Sequence, residues 1–246
     1  MNLLVCVSKT PDTTAKVDFS EDGKSYNESG KQFIMNPYDE WYALVRALEL
    51  KESEGGEVVI INVGPASNDS ILRKGLAIGA DKAVRIDAEA PDALFVASQI
   101  AEYARDKDFD IIFTGKETID YNGGILGGML AELLDLPFVS FASKMDYHDG
   151  QATIERDVEG GVEVLKTSGK FVISASKGLA EQRIPNMRGI MMAKRKPLEV
   201  VEAVEVKTGP VVDKFELPPE KGEVKMVDPE NMEELVRLLH EEAKVI

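Results

Sequence analysis

The chain is poor in the residues that carry most independent chemistry. Of its 246 residues, one is cysteine, two are histidine and one is tryptophan. A single cysteine excludes an intrachain disulfide and any cysteine-rich metal centre. Cys6 lies inside the apolar run LLVCV (Leu3–Val7), a setting that suits a buried, unreactive thiol rather than a nucleophile. His148, in DYHDG, and His240, near the end, have no spacing that suggests a metal or a triad. The chain shows no GxSxG, HExxH or paired-acid pattern, so no catalytic residues and no metal site are expected. Cations are scarce as well. With 29 Lys+Arg against 44 Asp+Glu the net charge is −15, which argues against general nucleic-acid binding. No apolar run approaches the ~20 residues of a membrane-spanning helix. Met1 leads through Asn2 straight into an apolar run, with no basic leader or cleavage site. The expected setting is a reducing, cytoplasmic one, without direct membrane insertion.

What is present is an alternation of strand and helix signals. Four short apolar runs recur: Leu3–Val7, Val58–Val63, Ala83–Ile86 and Asp110–Gly115. Continuous apolar character suits strands buried on both faces of a parallel sheet. Between them lie helical patterns. The first follows Asn36, read as the N-cap, with Pro37 at the first helical position and Gly55 as the stop. Its residues Trp41, Leu44, Val45 and Leu48 share one face. The second pattern ends at Gly79, the third runs through Val96, Ile100 and Tyr103, and a fourth is expected from about Gly123 to Leu134. Strands alternating with helices predict an open, mostly parallel, Rossmann-like α/β sheet with right-handed crossovers.

After Pro137 the pattern changes. The stretch QATIERDVEGGVEVLKT alternates apolar and polar residues around Gly160-Gly161, predicting an antiparallel hairpin, and KFVISAS adds a strand. The segment Arg183–Leu198 then combines Ile184, Met187 and Met191 with Lys194, Arg195 and Lys196, and no capping residue is evident at its start. From Val200 the chain is polar and interrupted at Gly209-Pro210 and Pro218-Pro219, ending in a short amphipathic helix, PENMEELVRLLHEEAKV. The expected division is a nucleotide-binding α/β domain over 1–199 and an extended C-terminal arm over 200–246. Such an arm needs something to lie on.

Ligands of open α/β sheets bind beyond the carboxyl ends of the strands. Three segments fall there: Ser8–Asp12, Asn62–Asp69, where Gly64 would let backbone approach a ligand, and Gly115–Met129. The last places glycines before and within a helix start, where free N–H groups and the helix dipole favour a phosphate. The run fits neither GxGxxG nor GxxxxGK[ST]. Its glycines serve either a phosphate or tight helix–sheet packing. Asp120 and Asn122 either orient a ribose or an amide, or cap the helix.

Five stretches, MNPYDEWYALVRALELKE, VGPASNDSILRKGLAIGADKAVRI, TGKETID, ERDVEGGVEVLK and IPNMRGIMMAKRKPLEV, occur in one order between Met35 and Val200. Together they resemble the beta subunits of electron transfer flavoproteins, an assignment carried most specifically by the last two. The resemblance implies a sheet of the adenine nucleotide alpha hydrolase-like type and a heterodimer with an alpha subunit that holds most of a redox FAD. It implies AMP in this subunit, or a second FAD in electron-bifurcating relatives that take electrons from NADH. The implied nucleotide contacts fall on Cys6, on Asn36, Pro37, Tyr38 and Asp39, on Val63, and on the loop Asp120, Asn122, Gly123, Gly124, Ile125, Leu126 and Gly127 up to Gly128. Tyr38 is the position that approaches the flavin ring.

The implied partner segment spans about 180–196, anchored at Ile184, with Pro185, Asn186, Met187, Met191, Lys194, Arg195 and Lys196. The implied partners are acyl-CoA and related dehydrogenases of fatty acid oxidation, which deliver electrons, and a membrane quinone oxidoreductase, which receives them. The C-terminal arm would pack on the alpha subunit. A small, mobile loop with apolar anchors and flanking cations suits brief docking, in which charge steers and apolar side chains hold. A contact with the alpha subunit is the other reading of that loop. The sequence DYNGGILGG departs from the family's phosphate loop, which carries Gln and Thr, and this shifts the phosphate contacts onto backbone N–H groups. An adenine-nucleotide hydrolase or ligase on a related fold is the enzymatic alternative. It would show a Ser-Gly-Gly type loop after the first strand, which VSKTPD lacks.

Overall fold

The apolar runs become inner strands of one sheet in the computed structural model, which describes residues 1–119 and 121–246. In chain order the strands are β1 (Asn2–Cys6), β2 (Lys9–Pro11), β3 (Phe33–Met35), β4 (Glu57–Val63), β5 (Lys82–Asp87), β6 (Ile111–Gly115), β7 (Phe138–His148), β8 (Gln151–Val158), β9 (Gly161–Ser168), β10 (Phe171–Ala175) and β11 (Leu198–Glu202). The helices are α1 (Asp39–Glu54), α2 (Asp69–Ile78), α3 (Ala93–Arg105), α4 (Leu126–Leu134), α5 (Met187–Ala193) and α6 (Met232–Arg237), the last continued by a π-helical turn, Leu238–Ala243. Among the described residues the main sheet has nine strands, ordered β11-β5-β4-β1-β6-β10-β7-β8-β9, and β2 pairs antiparallel with β3. Every pairing from β11 to β7 is parallel; β7–β8 and β8–β9 are antiparallel.

Strand alternation sends successive side chains to opposite faces. Leu3, Val5, Val58, Ile60, Ile111, Phe113, Phe171 and Ile173 join α1 and α2 in one core, through Leu44, Leu48, Leu72 and Leu76. Leu4, Cys6, Val59, Ile61, Ile112 and Val172 join α3 and α4 in the other, through Ile100, Ala101, Leu130 and Ala131. Both faces of the parallel half are therefore covered, as its continuous apolar runs require. Burial of each large side chain contributes about 1.5–3 kcal/mol. The expected fold class, an open parallel sheet with an antiparallel addition, is borne out. No helix among the described residues is long and apolar enough to cross a membrane.

Helix boundaries differ from the pattern in two places. α1 begins at Asp39, not beside Asn36, because the Asn36 side chain accepts the N–H of Tyr38 at 3.1 Å and closes a turn ahead of the helix. Its stop at Gly55 is as expected: φ is +77° and the N–H returns to Lys51 O. α4 begins at Leu126 rather than Gly123, since Gly123 is held in the loop by Thr118, which bonds both its carbonyl and its N–H at 3.2 Å.

Apart from the short β2–β3 pair, three elements were not evident in the pattern. β7 was hidden because Val139, Ala142 and Met145 are buried at intervals of three residues, neither the strand period nor the helix period. The cause is a bulge: Phe141 has φ 56° and the pairing register shifts between Ala142 and Lys144. β11 extends the sheet beside β5, pairing Leu198–Glu202 with Ala83–Asp87. The boundary expected at 199/200 therefore falls inside a strand. α5 is the third and is described with the site below.

The unit that contains the sheet comprises Met1–Val17 and Glu28–Asp213. A second unit combines Asp18–Asn27 with Lys214–Ile246. Within it Phe215 stacks on Phe19 at 5.1 Å between ring centroids and donates its N–H to Gly23 O at 2.7 Å. Asn231 caps α6 by accepting from Glu234 N at 3.2 Å, and Arg237 pairs with Glu234 and Glu241.

Candidate functional site

From β1 the chain steps to β4 and β5 on one side, then crosses to β6 and β10 on the other. The strand order thus reverses between β1 and β6, and a crevice beyond their carboxyl ends is where such sheets bind ligands. Ser8 follows β1 there, and Gly115–Lys116 ends β6. The first turn of α1 forms one wall. Ser8 donates both its N–H and its hydroxyl to the Glu40 carboxylate, each at 2.6 Å. Asp39 is only 4% exposed, and a Cβ added to Gly115 would lie 3.2 Å from its Cβ. Burial pushes the Asp39 carboxyl up from an ordinary 3.8 to about 6, against the pull of Lys116.

Asn36 is fully buried, and its amide donates to Glu117 O at 3.3 Å. The Glu117 backbone N–H lies on the Asp39 carboxylate's side and partly offsets the effect of its burial. Asn36 and Asp39 therefore face the backbone of Glu117 in the β6–α4 loop, one at its carbonyl and the other at its N–H. That loop is also tied by Lys116 N to Ala175 O at 2.9 Å and by two bonds between Thr118 and Gly123. Beyond it Asn122, Gly124 and Ile125 are exposed, Gly123 is half-buried, and the first N–H groups of α4 have no partner within the helix. Asp120 lies outside the described residues. Pro37 and Tyr38 sit at the rim, Tyr38 with 48% of its surface exposed.

The glycines of this stretch divide. A Cβ on Gly127 would come within 2.8 Å of both Thr114 and Phe138, so this glycine serves helix–sheet packing. Leu126 likewise packs against the core. Gly123 and Gly124 belong to the loop itself. The β4 end is closed, in contrast to the expectation that Gly64 admits a ligand. What approaches Gly64 is the amide of Asn68, 2.0 Å from where a Cβ would stand. Asn68 donates to Asn62 Oδ1 at 2.9 Å, Asn62 donates to Val7 O at 2.8 Å, and buried Arg85 bonds Gly64 O at 3.0 Å while pairing with Asp69 and Asp87. Cys6 and Val63 point into the core, so only their main chain is available to a ligand, and burial raises the Cys6 thiol well above the usual range. Sequence reasoning missed Phe141, an exposed aromatic in the left-handed region whose N–H donates to Ser174 Oγ at 2.9 Å. It lies at the level of the β10 and β6 ends, and no pattern marked it.

The segment after β10 projects elsewhere. Contrary to the absence of a cap in the pattern, Asn186 accepts from Gly189 N at 2.8 Å and starts the short helix α5. Ile184 is 83% exposed, and Met187 and Met191 are also exposed; Pro185 is half-buried. Lys194 and Arg195 face solvent, but Lys196 does not: its ammonium donates to Leu76 O, Gly79 O and Ala80 O at the end of α2. Burial lowers its pKa. A freely solvated role for Lys196 is thereby corrected, because those carbonyls are the orphans of a helix C-terminus.

The strand order and the crevice define an open, Rossmann-like α/β protein with an antiparallel extension. A family model described as "Electron transfer flavoprotein domain" matches residues 24–206. The chain is 39% identical to the electron transfer flavoprotein subunit beta of Bacillus subtilis (strain 168), with 100% of both chains covered. It is 34% identical to that of Syntrophomonas wolfei, covering 90% of this chain and 88% of the relative, and 31% identical to that of Mus musculus, covering 100% and 99%. The chain belongs to the electron transfer flavoprotein family, among its beta subunits.

Proposed function

We propose that the chain is the beta subunit of a heterodimeric electron transfer flavoprotein, holding one AMP in the crevice at the switch point. The observation that carries the nucleotide reading is an asymmetry among the strand-end loops. Ser8 is engaged with Glu40 and the β4 end is filled by Asn68 and Arg85, whereas Asn122, Gly124 and Ile125 are exposed just ahead of α4, whose first N–H groups find no carbonyl within the helix. Such groups, at the positive end of a helix dipole, fit a single phosphate. Asn36 and Asp39, implied as nucleotide contacts, act from below on the Glu117 backbone.

FAD, held mainly by an alpha subunit, supplies the redox chemistry when bound; this chain supplies the platform and no catalytic residue. Electrons come from acyl-CoA and related dehydrogenases of fatty acid oxidation, which dock on Ile184 and its neighbours, and pass to a membrane quinone oxidoreductase. The setting is cytoplasmic, and the arm over 200–246 meets the alpha subunit.

Co-expression with an alpha subunit tests this reading. A yellow 1:1 complex releasing one AMP and one FAD on acid treatment is expected, with little flavin on the lone chain. Two FAD per heterodimer would replace the AMP reading by an electron-bifurcating one. Gly124→Val adds bulk where a Cβ alone would stand 3.2 Å from Lys116 O, and it should weaken AMP retention about tenfold.

A further inference from the structure

An exposed segment made of apolar anchors should be floppy, because its side chains gain nothing from packing at home. α5 has seven residues, too few to hold a helix by its own hydrogen bonds. Yet both ends of the segment are bound to the sheet's helices. At its start Trp41 Nε1 donates to Arg183 O at 3.2 Å, and the Arg183 guanidinium grips the Glu52 carboxylate at 2.6 and 3.1 Å. At its end α2 and the segment exchange bonds in both directions. Arg73 Nη1 donates to Ala193 O and to Lys196 O, each at 2.8 Å. Lys196 Nζ donates back to Leu76 O at 3.0 Å, Gly79 O at 3.2 Å and Ala80 O. In the middle Gly189 lies against Ala77 O, so closely that a Cβ would come within 2.5 Å of it.

We infer that Arg73 and Lys196 are positioning residues for docking, a reciprocal clamp that holds the Ile184–Met191 surface in its binding shape before a partner arrives. The inference rests on the docking reading of this segment and replaces the mobile loop expected there with a preformed peg. The energetic logic is that ordering a loop on association opposes binding, and a clamp within the free subunit removes that cost in advance. The methionines stay adaptable at the tip, which suits apolar pockets of differing shape. Arg188, Lys194 and Arg195 remain exposed to meet an acidic rim.

The test uses the intact heterodimer, with Lys196→Met, which keeps the stem but loses the donors, and Arg73→Lys, which keeps the charge but loses the fork. Amide exchange over 186–196 is measured alongside the concentration dependence of reduction by an acyl-CoA dehydrogenase. Both variants should speed exchange in 189–195 at least tenfold and weaken docking about five- to tenfold, with exchange in β1 and β4 unchanged. Ile184→Ala should weaken docking and leave exchange alone. If Ile184→Ala weakens docking while both clamp variants match wild type in exchange or in docking, the clamp is overturned. If Ile184→Ala changes nothing, the docking reading itself fails. Should Lys196→Met also loosen β1 and β4, the milder Arg73→Lys decides by the same criteria.

Discussion

The crevice and the segment proposed for docking use the same helices in opposite ways. At the crevice, buried polar side chains are bonded to polar partners: Glu40 to Ser8, Asn68 to Asn62, and Arg85 to the more exposed Asp69 and Asp87. At the docking segment the apolar side chains stand in solvent, and the polar ones hold backbone carbonyls of the segment or its support. The difference teaches what each surface is for. A buried polar network gains its rigidity inside a low-dielectric wall and costs stability when broken. An exposed apolar tip adds nothing to folding and can be altered without unfolding anything.

The contrast breaks if the two regions respond alike to mutation, and the largest effect should come from beneath the crevice. Phe113 is fully buried at the centre of β6. Phe113→Ala should cost about 3–5 kcal/mol and lower the melting temperature on the order of 10 °C. A shift of only a degree or two would mean the strand under the crevice is not held by its core.

Ile184→Ala should leave that melting temperature within a degree. Removing a side chain that a dehydrogenase pocket buries is worth roughly 1.5–3 kcal/mol, so docking should weaken by about one to two decades. Reduction kinetics of the purified heterodimer measure it. Loss of the alpha subunit or a lower melting temperature would make Ile184 structural and erase the comparison.

Asp39 sharpens the crevice side through pH. Its folded carboxyl holds a proton up to about 6, against an ordinary 3.8. Folding therefore takes up a proton between these values, and the stability from this group is full below about pH 4 and declines as pH rises to about 6. Asp39→Asn should abolish that decline and raise stability at pH 7 by about 1–3 kcal/mol. Melting curves across that window check it; parallel curves for wild type and variant would show that Asp39 titrates normally.

The smallest effect belongs to the exposed cations. Lys194→Gln with Arg195→Gln should slow association several-fold and flatten its salt dependence, while stability changes by less than about 0.5 kcal/mol. Stopped-flow reduction at several ionic strengths separates the two.

Much of the fold was legible in residues 1–115, where each apolar run met a fully covered strand and Gly55 and Gly79 stopped their helices. The same period rules failed at β7, because a bulge at Phe141 changes the spacing of buried residues. They failed at α5 too, because a helix of seven residues leaves almost no period to read. Composition and local chemistry thus determined the sheet, the absence of any acid–base motif, the glycine-rich loop and the stickiness of the stretch around Ile184. Tertiary structure alone decided which glycine packs and which stays in the loop, that Arg85 closes the β4 end, and that the Lys196 ammonium turns to the carbonyls ending α2 rather than to solvent. The physical reason is distance along the chain. Lys196 finds its carbonyl partners 116 to 120 residues away, and Asn36 finds Glu117 at 81. Periodicity reports only what a residue does with its neighbours in sequence, whereas buried polar partners are chosen by the fold that brings them together.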